Sequence, residues 1–267
     1  MQPTLRSVVL GLVILGPVFL LFERLWPANP LQPRWRKDSR ADLAYWFLTP
    51  LATKALTRVL IYGLFVFAAL CLGAQTVQQW LHPRGVLARQ PTWAQVLELL
   101  LLGDLIGYWN HRLFHLRPLW AFHAIHHSST QLDWLSAVRL HPVNDVVSRL
   151  VQVVVLLPLG FAPKVMAAYV PFLTLYAILL HANVRWSLGP LRYLIASPTF
   201  HRWHHTCERE GLNRNFAGLF SLLDLLFGTF YLPKGKQPER FGVAGKPLPT
   251  TVLGQLAYPF RKAETST

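Results

Sequence analysis

Five apolar runs decide most of what this chain can fold into. They are 8-VVLGLVILGPVFLLF-22, 55-ALTRVLIYGLFVFAALCLGA-74, 94-AQVLELLLLGDLIGYW-109, 146-VVSRLVQVVVLLPLGF-161 and 165-VMAAYVPFLTLYAILL-180. A helix that crosses a bilayer needs about 20 mostly apolar residues. Backbone N–H and C=O groups in lipid must pair among themselves, which leaves helices or closed barrels. The runs therefore predict an all-α integral membrane protein with four to five transmembrane or re-entrant helices. Composition agrees: 14% of residues are charged, against about 25% in an ordinary soluble domain.

The first run follows Arg6, and 23-ERLWP-27 is a poor cleavage context. It reads as a span with Trp26 at the interface rather than as a signal peptide, and Pro17 is tolerated as a kink. The third run is short and interrupted by Glu98 and Asp104. The last two runs, joined by PLGFAPK, predict a helical hairpin that spans or dips into the bilayer, with Arg149 inside it. Beyond it, 216-FAGLFSLLDLLFGTFYL-232 reads as an amphipathic or re-entrant piece.

The net charge is +14. A nucleic-acid-binding chain lines an exposed groove with its Lys and Arg. Here they cluster between apolar runs, as Arg34, Arg36, Lys37 and Arg40, and in the tail as Lys234, Lys236 and Arg240. That pattern fits headgroups and the cytoplasmic side of a membrane, and no nucleic-acid partner is expected. With the loop after the first run cytoplasmic, alternation brings the ends of the third and fifth runs back to the cytoplasmic face. Two isolated cysteines, Cys71 and Cys207, make no disulfide framework.

Ten of the chain's eleven histidines lie between positions 111 and 205. They form 111-HRLFH-115, 123-HAIHH-127, His141 in 139-RLHP-142, His181 in 181-HAN-183, and 201-HRWHH-205. On a helix, positions i, i+3 and i+4 share one face. His111 and His115 should therefore stand one turn apart. His123, His126 and His127 should form one triplet face, and His201, His204 and His205 another. Ser197 and Pro198 supply an N-cap and first-turn signal for the second triplet, and Pro118 precedes the first. The topology above puts all ten on the cytoplasmic face.

Imidazole suits Zn, Cu, Fe and Ni, and one ion takes four to six ligands. Ten histidines are too many for one ion and suit two. Carboxylates are scarce nearby, which disfavours a Glu-rich di-iron site. No glutamate stands in an HExxH frame, which disfavours zinc hydrolysis. Redox iron held by neutral ligands can activate dioxygen, and the bilayer supplies a hydrocarbon substrate. His181 ends the fifth run, where a histidine can also cap carbonyls. His141 precedes Pro142 and can occupy a turn instead of holding metal. Asp104 lies on the His111 stripe, about 10 Å away. It either steadies a histidine of another helix or is a buried acid paired with an Arg. Asn183 is a candidate of the same steadying type, with Asn110, Asp133, Asn144, Asp145, Asn215 and Asp224 behind it. Trp134, Trp203 and Phe200 read as packing aromatics.

The pattern 104-DLIGYWNHRLFH-115, 123-HAIHHSSTQLDWLSAVRLHP-142, 181-HAN-183, 201-HRWHH-205 and 213-NRNFAGLFSLLDLLFGTFYLP-233 resembles the fatty acid hydroxylase/sterol desaturase superfamily of membrane di-iron oxygenases. The likeness is greatest to bacterial sterol-desaturase-family members and covers about residues 100–233; the first ninety residues carry no matching motif. The resemblance implies four or more membrane helices and a cytosolic helical cap holding two irons. It implies dioxygen-dependent hydroxylation or desaturation of a lipid such as a fatty acyl chain or sterol. Carried over, His111, His115, His123, His126, His127, His201, His204 and His205 hold metal and carry the chemistry; His181 matches a family position, and His141 is a weaker match. Residues 94–233 are then the catalytic domain, after N-terminal membrane helices and loops in 1–93 and before a basic cytosolic tail in 234–267. No dinucleotide fingerprint or haem segment is apparent, so no bound nucleotide or haem is expected. Electrons should come from a separate ferredoxin- or cytochrome-type protein with its reductase. The expected location is the bacterial inner membrane, or the endoplasmic reticulum in a eukaryote. Two rival readings are a histidine-rich metal carrier, which calls for histidines along several spans, and a haem electron carrier, which needs only two to four histidines.

Overall fold

The computed structural model describes residues 4–245 and 248–261. Among them all regular structure is helical, with isolated bridges at Pro27–Val184 and Thr206–Phe241. Helix α1 spans Leu5–Leu25, α2 Ser39–Leu48, and α3 Lys54–Leu72. A π-helical turn, Thr49–Thr53, joins α2 to α3 without a break. Next come α4 (Ala74–Trp80), α5 (Gly85–Arg89), α6 (Thr92–Phe114) and α7 (Trp120–His123). The hairpin is α8 (Pro142–Leu156) and α9 (Pro163–His181). Last come α10 (Pro198–His204), α11 (Leu222–Leu226) and α12 (Val252–Ala257). Residues 246–247 and 262–267 of the expected tail lie outside the described residues.

The boundaries follow local chemistry. Thr4 and Ser7 form a reciprocal capping box at the start of α1. Pro142, Pro163 and Pro198 each open a helix, where a missing N–H costs nothing. Gly160, at φ 90°, makes the left-handed corner between α8 and α9 that a side chain would strain.

Four helical stretches are long and apolar enough to cross a membrane: Leu5–Leu25, Ser39–Leu72, Pro142–Leu159 and Pro163–His181. Their surfaces support that use. Helix α3 buries only Thr57, yet exposes Val59 at 68% and Leu70 at 81%. Such a face is a liability in water and ordinary in lipid. The protein is a membrane protein. The third apolar run is helical, as α6, but falls short of a span by composition. Glu98 and Asp104 interrupt it, and Gln95, Leu99, Asp104 and Tyr108 are buried inside the protein.

Three devices fix the cap on these helices. Trp134, between the first triplet and α8, stacks on Phe19 of α1 at 5.9 Å and meets Trp46 of α2 edge-on at 5.6 Å. Gly103 lets α6 approach α9 so closely that a Cβ there would overlap the Tyr169 ring. The third is a buried ion network. Arg36 donates to both oxygens of Asp133, at 2.5 Å each, and to Asp42 at 2.7 Å. Arg139 donates to the other Asp42 oxygen at 2.6 Å. Burial alone would lower the Arg36 pKa, but the carboxylates of Asp133 and Asp42 overcome it and raise it.

Candidate metal centre

The structure brings nine histidines to one place, in two groups. His111, His115, His123, His127 and His204 form one; His126, His181, His201 and His205 form the other. Within each group one ring nitrogen per residue lies within 4.8 Å of the others. The groups abut: the His127 and His205 rings stack at 4.3 Å.

The elements deliver these rings in a way the sequence pattern hides. The end of α6 supplies His111 and His115, one turn apart. The first triplet is not one helix face. It runs from α7 through Ala124 and Ile125 into a 3-10 turn, His126–Ser128, and sends His123 and His127 to the group of five but His126 to the group of four. The second triplet, on α10 with Ser197 as its N-cap, does the reverse. His201 and His205 go to the group of four and His204 to the group of five. Each triplet thus bridges both groups, giving its i and i+4 rings to one and its i+3 ring to the other.

Hydrogen bonds set the ring tautomers. Four Nδ1 atoms face backbone carbonyls, which only accept, so each Nδ1 must carry the proton. His111 donates to Phe216 O at 2.8 Å, His126 to Arg139 O at 3.0 Å, His181 to Ala177 O at 2.7 Å and His204 to Arg214 O at 2.8 Å. His123 and His115 face the side-chain oxygens of Asn144 at 2.7 Å and Asn213 at 3.2 Å. With Nδ1 protonated, Nε2 presents a bare lone pair. Those lone pairs point at one another: His111 Nε2 lies 3.0 Å from His123 Nε2, and His181 Nε2 3.1 Å from His126 Nε2. The Nε2 atoms of His115 and His204 are buried with no partner.

Two lone pairs at that distance repel unless a cation lies between them. A proton is a poor candidate, because burial and neighbouring imidazoles push His123, His126, His127, His201, His204 and His205 well below the ordinary histidine pKa. A metal fits. Bonds of about 2.1 Å at 90–110° put neighbouring nitrogens about 3.0–3.4 Å apart. The Nδ1–H···O bonds are also the usual way a protein aims metal-holding imidazoles.

Three expected residues serve elsewhere. His141 reaches neither group. Its Nδ1 accepts the Val143 N–H at 3.1 Å, capping α8, and its Nε2 donates to Leu256 O at 3.1 Å. Both nitrogens are spent, so the reading of His141 as a metal ligand gives way to a helix cap. Asp104 steadies no histidine and pairs with no arginine. Its oxygens accept the N–H groups of Gly218 and Leu219 at 3.0 Å and of Phe220 at 2.6 Å. It shapes the loop whose Phe216 carbonyl holds His111. Asn183 does not reach the cofactor site either. Its amide clasps the backbone of Asn29, accepting at 2.9 Å and donating at 3.0 Å. The 216–232 piece has one helical turn, α11, and otherwise wraps α6. Asp224 holds it by accepting from Phe216 and Ala217. The four carbonyls carry no side-chain signal that sequence reading could use, and Asn213, an asparagine outside any histidine box, went unread. Asn144, one of the weaker steadying candidates read from the sequence, lies against His123 Nδ1.

The fold and these rings define a membrane protein with two groups of imidazoles suited to holding metal. The fatty acid hydroxylase family matches residues 96–229, and the chain belongs to that family. It is 29% identical over 247 residues to the ornithine lipid hydroxylase OlsE of Rhizobium tropici, covering 92% of this chain and 73% of that one. It is 35% identical over 136 residues to an alkylglycerol monooxygenase of Danio rerio, covering 49% of this chain but 30% of that one. It is 28% identical over 202 residues to methylsterol monooxygenase 2-2 of Arabidopsis thaliana, covering 68% of this chain and 70% of that one. No solved structure matches the chain. Family membership places it among membrane oxygenases that act on lipids, and removes the metal-carrier reading.

Proposed function

We propose that the protein is a di-iron lipid oxygenase that hydroxylates or desaturates its substrate with dioxygen. The observation that carries this is the facing of Nε2 lone pairs at 3.0–3.1 Å, one pair in each of two abutting groups. The five histidines around His111 would hold one iron and the four around His181 the other. Iron bound there supplies the redox chemistry that activates dioxygen. The chain's own residues do the rest. Asn144, Asn213 and four backbone carbonyls fix the tautomers and aim the rings. Phe216 and Trp120 pack against the rings, with Tyr108 behind Phe216, and exclude water. The membrane-capable helices present a lipid to it, a reading supported by relatives that are an ornithine lipid hydroxylase, an alkylglycerol monooxygenase and a methylsterol monooxygenase. Residues 94–233 are the catalytic unit. A separate electron-donor protein supplies reductant. The cluster faces the cytoplasm, on the strength of the Arg34–Arg40 loop.

Protein purified in detergent should hold about two irons per chain. Lipids of a host expressing it should gain one oxygen or lose two hydrogens, with 18O from dioxygen appearing in any alcohol. One zinc per chain and no iron would overturn the reading.

A further inference from the structure

Trp26 ends α1, and Trp186 follows the end of α9. Their rings meet at 5.5 Å, and Phe22 lies against Trp186 at the same distance. Tryptophan at the ends of membrane helices marks the headgroup level. The Pro27–Val184 bridge, and the bond from Arg185 N–H to Trp26 O at 3.0 Å, tie the two chain segments together there. The same residues border a cavity of about 460 Å³, with Pro27, Ala28 and Arg185 in its wall. None of the histidines lines it. Its charged side chains are Arg185, Arg192 and Lys236, and no carboxylate faces them from the wall.

Among the described residues none of these three cations forms an ion pair. Arg192 donates to Tyr193 Oη at 3.0 Å, with its guanidinium 4.9 Å from the centre of that ring. Its Nε is buried without a hydrogen-bond partner. Like charges around one cavity repel, and a buried N–H with no acceptor is costly. Arg192 belongs to a 3-10 turn, Gly189–Tyr193, which with its flanks exposes Leu188, Leu191, Tyr193 and Leu194. Exposed apolar residues beside basic ones are the pattern of a segment lying in the membrane interface. The turn is also tied to the metal-holding frame. Ser221 Oγ donates to Arg192 O at 2.7 Å. Thr199, in the cavity wall, lies on α10 beside the second triplet and accepts from Gln237 at 3.1 Å.

We propose that this cavity holds the phosphate of an anionic phospholipid of the surrounding leaflet, with Arg185, Arg192 and Lys236 around the phosphate and the acyl chains beside Leu191 and Leu194. Charge argues for an anion, because three cations stand in the wall with no acid to balance them. Chemistry argues for phosphate, whose several acceptor oxygens suit the free Arg192 Nε–H, the Arg185 fork and the three N–H groups of Lys236 together. Depth argues for a lipid over a soluble phosphate, because the tryptophan pair and the apolar turn set the cavity at the headgroup level. The lipid is a resident one that seats the cap on the bilayer, and it is not oxidised. The inference rests on the membrane placement of α1 and α9 and not on the oxygenase reading.

The test offers the full chain, in neutral detergent and without reductant, equal concentrations of dioleoylphosphatidylglycerol and dioleoylphosphatidylcholine, and counts retained lipid by native mass spectrometry. Phosphatidylglycerol should be retained about tenfold over phosphatidylcholine. Arg185→Gln/Arg192→Gln/Lys236→Gln should bring the two lipids level while keeping the lipid-free melting temperature of the wild type. Arg185→Gln/Lys236→Gln, which changes only exposed side chains, should already lower the preference about threefold. Arg40→Gln/Arg209→Gln/Arg240→Gln removes the same charge from exposed positions outside the cavity and should preserve it. Phosphatidylglycerol should raise the melting temperature of the wild type, and glycerol 3-phosphate alone should not. Equal retention of the two lipids by the wild type overturns the proposal. So does an equal loss of preference in the two triple variants, or stabilisation by glycerol 3-phosphate as large as that by phosphatidylglycerol. None of these outcomes depends on iron or turnover, so they stand apart from the test of oxygenase activity.

Discussion

Asp42→Asn isolates the link between the N-terminal helices and the metal centre. Asp42 is fully buried and accepts from Arg36 with one oxygen and from Arg139 with the other, at 2.7 and 2.6 Å. Arg36 keeps its bidentate pair with Asp133 after the change. Arg139 keeps only Asp38, at 3.9 Å, with the Asp38 carbonyl and Ser128 Oγ. Breaking one side of a buried pair costs about 3–5 kcal/mol, because the stranded charge stays buried. At roughly 2–4 °C per kcal/mol for a chain of this size, the melting temperature should fall by about 6–20 °C. The damage should also be local. The Arg139 carbonyl holds Nδ1–H of His126, and losing such a support costs about 10–100-fold in metal affinity. His126 belongs to the group of four, so metal content should drop from two per chain toward one. Thermal unfolding in detergent and elemental analysis of the same preparation check both. An unchanged melting temperature with full metal content would refute the argument that Asp42 holds the centre in place.

Three other outcomes follow from the same geometry. His126→Ala and His204→Ala should each remove about one metal per chain, and the double variant two, because the residues serve different groups; loss of both metals from either single change would show one shared site. His141→Ala should leave metal content intact and cost about 0.5–2 kcal/mol as a lost helix cap, whereas metal loss would restore it as a ligand. Metal-stripped protein should lose thermal stability as pH falls below about 7. The buried histidines have folded pKa values below the ordinary 6.5, so the unfolded chain takes up more protons there. A flat melting temperature between pH 7.5 and 5.5 would contradict that sign.

The sequence determined the class of solvent and the class of chemistry. Runs of apolar residues can pair their backbones only as helices in lipid, so the all-α membrane architecture could be read from hydropathy. Clustered imidazoles with few carboxylates pointed to metal binding, and their number led to the expectation of two ions. Tertiary structure decided how the rings are shared. Helical spacing put each triplet on one face, but α7 tightens into a 3-10 turn, and rings from α6, α9 and α10 approach from other sides. Only that packing divides each triplet between two groups. It also moved His141 out of the centre, because Pro142 opens α8 and the imidazole is needed as its cap. It took Asp104 and Asn183 into backbone contacts more than 100 residues away in sequence. The supports that aim the rings are mostly backbone carbonyls, which every residue has. Their place depends on the path of the chain, so no residue type announces them.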